Sequence, residues 1–149
     1  DDDKLINSIY LDPPELEAHN LKLQEKYRVM EESEVRFEDY RLEDAKLVLI
    51  GYGVVSRLLQ SVVDDLRAEG IRVGMLRPIT LFPFPKKKIV ELTGRVDAFL
   101  TVELSNGQMV DDVRLTVNGQ KPVHFYGRMG GVVPTTEEII AQVKTIIKA

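Results

Sequence analysis

The sequence contains no cysteine and no tryptophan, only two histidines, and no apolar run approaching the roughly 18 residues that a membrane-spanning helix needs. Without cysteine, the 149 residues cannot form a disulfide, a thiolate zinc site or a cysteine-ligated iron–sulfur cluster, and the composition fits a cytoplasmic protein. His19 lies in a charged N-terminal segment and His124 in a late apolar one, so they make neither a spaced metal-ligand set nor a serine–histidine relay. An excess of basic residues is also missing: 20 Lys and Arg stand against 24 Asp and Glu, a net charge of -4. That balance argues against nucleic acid as a partner and gives no support for docking on an anionic membrane surface. There is no signal-peptide pattern and no initiator Met, and the opening Asp1-Asp2-Asp3-Lys4 suggests an expression scar or a piece of a longer polypeptide.

What remains is an ordinary globular composition, 44% apolar and 30% charged, in a length that suits one domain with an extra arm. Two parts are visible. Residues 1–44 read as a helical arm and connector. Pro13-Pro14 suits a first helical turn, and Glu15 and Glu17 sit near the positive end of the dipole. Leu16, Leu23, Tyr27 and Met30 recur at helical spacing, which predicts one apolar stripe, and the acid-rich stretch from Glu31 to Asp44 reads as a surface connector.

Residues 45–149 alternate strand and helix. Lys46 to Ile50 is a short buried run closed by Gly51-Tyr52-Gly53. Val54, Leu58, Val62 and Leu66 lie beside Val55, Leu59 and Val63 as two i, i+4 columns, the apolar face of a helix that Gly70 stops. Ile71 to Leu76 reads as a second strand, ended by Arg77-Pro78, and Pro85 can open a helix through Lys88, Val90 and Leu92. Asp97 to Leu104 is a third strand, followed by a helix from Gly107 to Val117 with Met109, Val113 and Val117 on one face. Val123 to Tyr126 is a last strand. Thr135 to Glu138 is a capping box that opens a helix carrying Ile139, Ile140, Val143, Ile146 and Ile147 inward. Strands joined by helical crossovers imply a largely parallel sheet with helices on both faces.

Four places invite a chemical reading. Gly51-Tyr52-Gly53 sits where a dinucleotide fingerprint would, but the third glycine is replaced by Ser56 and the second strand ends in Arg77 instead of an acid. A tight strand-to-helix turn is the simpler reading, with a flavodoxin-like nucleotide- or phosphate-binding module as the alternative. Lys86-Lys87-Lys88 opens a helix against its dipole and reads as a solvated face, or less simply as a dock for an acidic partner. Glu103 is an acid at the carboxyl end of a central strand, the edge where open α/β sheets bind ligands. Beyond it, Ser105 and Gln108 match a capping box, and Gly107 permits close approach of another backbone. Finally, Gly127-Arg128-Met129-Gly130-Gly131 could cradle an anion, yet no lysine–hydroxyl pair follows, so a P-loop reading fails and a loop pressed on a partner subunit is expected.

The stretches "LEAHNLKLQEKY", "RPITLFPFP", "VELSNGQMVDDVRLTVNG" and "FYGRMGGVVPT", in this order, resemble the C-terminal portion of the alpha chain of 2-oxoacid:ferredoxin oxidoreductases, from about Leu5 onward. "EAHNLKLQEKY" is closer to the 2-oxoisovalerate, branched-chain type than to the 2-oxoglutarate type. The resemblance implies a transketolase C-terminal-like fold: three α/β/α layers around a mixed five-stranded sheet, mostly parallel with one antiparallel edge. It implies a complex that converts a 2-oxoacid and coenzyme A to acyl-CoA and carbon dioxide while reducing ferredoxin. Thiamine diphosphate, magnesium and iron–sulfur clusters belong to that complex, held by other domains and subunits, with no cofactor bound by this chain alone. The expected contribution of this portion is assembly and a wall of the active site. Arg77, Glu103, Asn106, Gly107, Gln108 and Arg128 are the candidate contacts to neighbouring domains, and none is assigned a catalytic role.

Overall fold

A computed structural model describes residues 9–148; the Asp1–Lys4 opening and the start of the resemblance at Leu5 lie outside the described residues. The chain divides into two compact units, Asp1–Glu34 and Val35–Ala149. In the first, α1 spans Pro13–Ser33, with proline in its opening positions where the missing N–H costs nothing. The Glu34 N–H closes it on the Met30 carbonyl at 2.9 Å. The stripe of Leu16, Leu23, Tyr27 and Met30 is there at helical spacing, but no residue of α1 is buried. His19 stacks on Tyr10 and its Nδ1 lies 3.1 Å from the Tyr10 hydroxyl, a local structural contact.

The second unit runs β1 (Phe37–Tyr40), β2 (Leu47–Ile50), α2 (Val54–Ala68), β3 (Val73–Pro78), α3 (Lys86–Thr93), β4 (Ala98–Glu103), α4 (Met109–Val117), β5 (Val123–Gly127) and α5 (Thr136–Lys148). The sheet order is β1-β3-β2-β4-β5. The last four strands are mutually parallel and β1 is antiparallel to β3, which gives the mixed five-stranded sheet expected. The acidic segment read as a connector therefore contains a strand. Its acids are compatible with that role because β1 is an edge: Glu38 and Asp39 stay exposed while the backbone pairs with Arg77 and Leu76.

Alternation along the strands sends side chains to two faces. On one, Leu49, Met75, Leu100 and Val102 meet Leu59, Val62, Val63 and Leu66 of α2 and Ile139 and Val143 of α5. On the other, Val48, Ile50, Leu76 and Phe99 meet Ile89 and Leu92 of α3 and Met109, Val113 and Val117 of α4. Both apolar columns expected on α2 point inward except at its first residue: Val54 is half-exposed at the carboxyl edge of the sheet. Ile147 likewise faces solvent on α5.

The helix ends follow from their sequences. After α2, Ile71 N–H donates to Leu66 O and Gly70 N–H to Arg67 O, both at 3.0 Å. That paired closure needs the left-handed φ of +81° that Gly70 supplies. At α5, Thr135 N–H donates to Glu138 Oε2 at 2.9 Å and Glu138 N–H to Thr135 Oγ1 at 3.2 Å, the reciprocal box its sequence predicts. Arg67, 18% exposed, fastens α2 to its surroundings. Its Nε donates to Val73 O at 2.7 Å and one Nη to Arg41 O at 2.8 Å, while Asp44 lies 2.7 Å from that same Nη.

Candidate functional site

Because β2 to β5 are parallel, the turns that follow them share the carboxyl edge of the sheet. The chain leaves β2 toward β3 on one side and reaches β4 on the other, so the topological switch point lies between β2 and β4. A cavity of about 150 Å³ marks it, lined by Tyr52, Gly53, Val54, Val55, Val102 and Leu104 together with Glu103. That is small against the 300–1,000 Å³ typical of ligand pockets. A larger cavity, about 430 Å³, opens at the amino edge among Leu47, Ile71, Arg72, Asp97 and Ile146, far from the strand-end turns.

Glu103 is the centre of the carboxyl edge. It ends β4 and is 1% exposed. Its Oε2 accepts from Ser105 Oγ at 3.0 Å, Gln108 N–H at 3.2 Å and Met109 N–H at 3.0 Å, and its Oε1 accepts from Val110 N–H at 2.9 Å. The acid thus satisfies the first turn of α4, and its charge lies at the positive end of that helix. This corrects the capping box expected from Ser105 and Gln108. The helix begins at Met109, not at Gly107, and Gln108 occupies the cap position without a side-chain cap. Ser105 instead buttresses the turn, accepting from Gly107 N–H at 3.2 Å while donating to Glu103. The signal in the sequence was a cap position held by glutamine, a poor cap, five residues after a buried-strand acid.

The cap fixes what the turn displays. Gly107 has φ +99° and carries the reversal, while Asn106 and Gln108 on either side are exposed. Neither of their side-chain amides bonds to a described residue. Gly127 is the close-approach point: a Cβ there would collide with Ser105 O and the Phe125 ring. Arg128 N–H then donates to Glu103 O at 3.1 Å, and the Arg128 guanidinium pairs with Glu138 of α5 at 3.3 Å. Glu103, Asn106, Gly107, Gln108 and Arg128 therefore form one neighbourhood around β4 and β5.

Arg77 is not in it. It lies on β3, beyond β2, and by alternation with Val73 and Met75 its side chain is on the α2/α5 face. The carboxylate of Glu103 is on the opposite, α4 side. Arg77 Nη1 bonds Glu38 Oε2 of β1 at 2.8 Å, and its buried Nε has no partner among the described residues. Lys88 is held by Asp39 at 3.0 Å and Glu91 at 3.5 Å, so the lysine run is partly neutralised within the domain.

The fit to cofactors can be judged from these donors. No group of three or more His, Cys, Asp or Glu side chains that could hold a metal occurs among the described residues, and the chain offers no thiolate. Glu103, the acid lining the switch point, already accepts four hydrogen bonds, from the Ser105 hydroxyl and three backbone N–H groups. Gly51-Tyr52-Gly53 is equally filled: a Cβ on Gly51 would lie 2.7 Å from Leu59 Cδ1 and 2.8 Å from Val55 Cγ1, and Ser56 Oγ closes back on Gly53 O at 2.7 Å. The described residues fit no metal-bound diphosphate, and a sequence without cysteine supplies no thiolate for a cluster. What the edge does offer is apolar surface, since Val54, Ile79, Phe82, Leu104, Met129 and Val132, from all four turns, are each between 42% and 56% exposed. No helix among the described residues is long and apolar enough to cross a membrane.

Ketoisovalerate oxidoreductase subunit VorB of Methanothermobacter marburgensis is 48% identical over 142 residues, which is 95% of this chain and 40% of the relative. The VorB subunit of Methanothermobacter thermautotrophicus is 46% identical over the same coverage. This chain thus spans about two-fifths of the length of these curated relatives. Among solved structures, 2-oxoglutarate:ferredoxin oxidoreductase from Magnetococcus marinus, with 2-oxoglutarate, coenzyme A and succinyl-CoA bound, superposes with a TM-score of 0.74 at 21% identity. The match covers 93% of this chain and 24% of that one. A split-gene transketolase, an inactive beta4 tetramer, superposes with a TM-score of 0.62 at 18% identity, covering 74% of this chain and 41% of that one. These two likenesses establish the fold, a transketolase-like α/β domain. The family model for pyruvate:ferredoxin oxidoreductase core domain II matches residues 45–139, and the chain belongs to that family.

Proposed function

We propose that this chain is the core domain II portion of a subunit of a 2-oxoacid:ferredoxin oxidoreductase of the ketoisovalerate type. The observation that carries the reading is its 48% identity, across 95% of its own length, to a ketoisovalerate oxidoreductase subunit. The complex it serves joins a branched 2-oxoacid to coenzyme A, releases carbon dioxide and passes the two electrons to ferredoxin. Thiamine diphosphate, magnesium and iron–sulfur clusters act in the full complex and are held by other domains and subunits.

Within that complex the domain serves assembly and forms a wall of the active site through its carboxyl edge. The support is geometric. Four turns converge there, each presents apolar surface, and the free amides of Asn106 and Gln108 stand among them. Glu103 is a positioning residue, holding that display through the α4 cap.

Reconstitution tests the reading. The purified chain alone should show neither thiamine diphosphate binding by calorimetry nor decarboxylation of 3-methyl-2-oxobutanoate. Joined to the remainder of the subunit and its companion subunits, it should support ferredoxin reduction. Turnover by the chain alone, or full turnover of an assembly lacking it, would defeat the proposal.

A further inference from the structure

We infer that the outer edge of β5 is a dimerisation surface, on which a second copy of this chain adds its own β5 antiparallel to the first. This rests on the ladder geometry alone and not on the assignment of an activity. The sheet ends at β1 on one side and at β5 on the other. Phe99 N–H donates to Pro122 O at 3.0 Å and Arg128 N–H to Glu103 O at 3.1 Å. Parallel register between those two bonds commits the backbones of His124 and Tyr126 to β4. The N–H and C=O groups of Val123, Phe125 and Gly127 therefore point away from the sheet, and none bonds to a described residue.

The two edges are treated differently. β1 reads Phe-Glu-Asp-Tyr, and its exposed Glu38 and Asp39 are the kind of charge that discourages strand addition. β5 reads Val-His-Phe-Tyr-Gly, without lysine, acid or proline, and all five residues are half-buried. An open edge of apolar and aromatic residues is a template for another strand.

The strand is also complementary to itself. In an antiparallel pair centred on Phe125, the outward residues fall opposite one another as Phe125 with Phe125 and Val123 with Gly127, the positions that exchange both N–H and C=O. His124 then faces Tyr126 on one side of the sheet, and the two Phe125 rings meet on the other. Aromatic cross-strand pairs are favourable, and no like charges are brought opposite one another. A twofold axis through Phe125 closes the assembly at two copies, because each chain offers only one such edge.

Sedimentation equilibrium of the full chain over a wide concentration range tests this. The parent should dimerise. Val123→Pro removes the outward N–H and trims a half-buried side chain that packs on the Phe99 core, so circular dichroism should show a retained fold with a modestly lower melting temperature, while the dimer dissociation constant rises about 30-fold, two lost bonds at roughly tenfold to twentyfold together with steric exclusion of the partner. Because the chain has no cysteine, single-cysteine variants give a second, independent reading. Phe125→Cys should form a covalent dimer under mild oxidation, its Cα atoms being brought to disulfide range, and Leu115→Cys on α4 should not. A chain that is monomeric throughout, a dimer indifferent to Val123→Pro, or cross-linking equal at both cysteines would each overturn the inference.

Discussion

Replacing Glu103 probes the cap on which the carboxyl edge depends. In Glu103→Ala, the N–H groups of Met109 and Val110, both on buried residues, lose their acceptor, as does the less buried Gln108 N–H. A buried donor left unsatisfied costs about 1–3 kcal/mol, and loss of a charge at a helix N-terminus costs up to about 1 kcal/mol more. Taking about 1.5 kcal/mol for each of the two buried donors gives a total of about 4 kcal/mol. Glu103→Gln keeps the shape but replaces one acceptor oxygen by a donor facing other donors, and should cost about 2 kcal/mol. Glu103→Asp keeps the charge and loses the reach of one methylene, at a similar cost.

Urea unfolding followed by far-ultraviolet dichroism reads the order directly: alanine most harmful, glutamine and aspartate intermediate. Hydrogen exchange should localise the damage, with Met109 and Val110 amides losing protection before those of β4. If Glu103 were instead a reacting group, Glu103→Gln would leave stability at the parental value and abolish turnover in the assembled complex. An alanine variant within 0.5 kcal/mol of the parent would refute the cap.

Other perturbations separate packing from display. Arg67→Met removes the hydrogen bonds to Val73 O and Arg41 O, whose loss should cost about 2 kcal/mol in the same urea assay, and it also removes the ion pair to the exposed Asp44. The hydrogen bond from Arg67 holds the Asp44 carboxyl below its ordinary value, so its stabilising contribution is present above the ordinary carboxylate range and is lost as pH falls through the depressed one. In Arg67→Met that part of the acid dependence should flatten. Gly51→Ala forces a Cβ against Leu59 and Val55 and should cost about 1–3 kcal/mol by overpacking. Thr135→Ala should cost about 1 kcal/mol through the α5 cap. Asn106→Ala and Gln108→Ala should leave chain stability within about 0.5 kcal/mol, both being exposed, and weaken assembly or turnover only in the reconstituted complex.

The elements from Ala45 onward were legible within a few residues because their signals are local: i, i+4 columns on α2, a capping box before α5, short apolar runs for β2 to β4. β1 was not, since Phe37-Glu38-Asp39-Tyr40 carries no apolar alternation and becomes a strand only through its ladder with β3, some 40 residues away. The same limit governed the candidate site. That an acid ends β4 could be read, but three of its four partners are backbone N–H groups, which no residue name reveals. Arg77 and Arg128 both stood at strand ends, yet their partners Glu38 and Glu138 come from β1 and α5, so the sequence could not show that they belong to different neighbourhoods.

A buried acid at the carboxyl end of a central strand can serve chemistry or architecture, and the number of donors aimed at it decides between them. Glu103 is 1% exposed and accepts four hydrogen bonds, three at Oε2 and one at Oε1, from one turn and the start of one helix, which is the pattern of a helix cap. What it fixes is the conformation of residues 104–108, whose outward face is two amides beside half-exposed apolar side chains. Such a surface is poorly suited to water: amides can be hydrated, but the apolar groups of four separate turns cannot, and burying them releases roughly 25 cal/mol per Å².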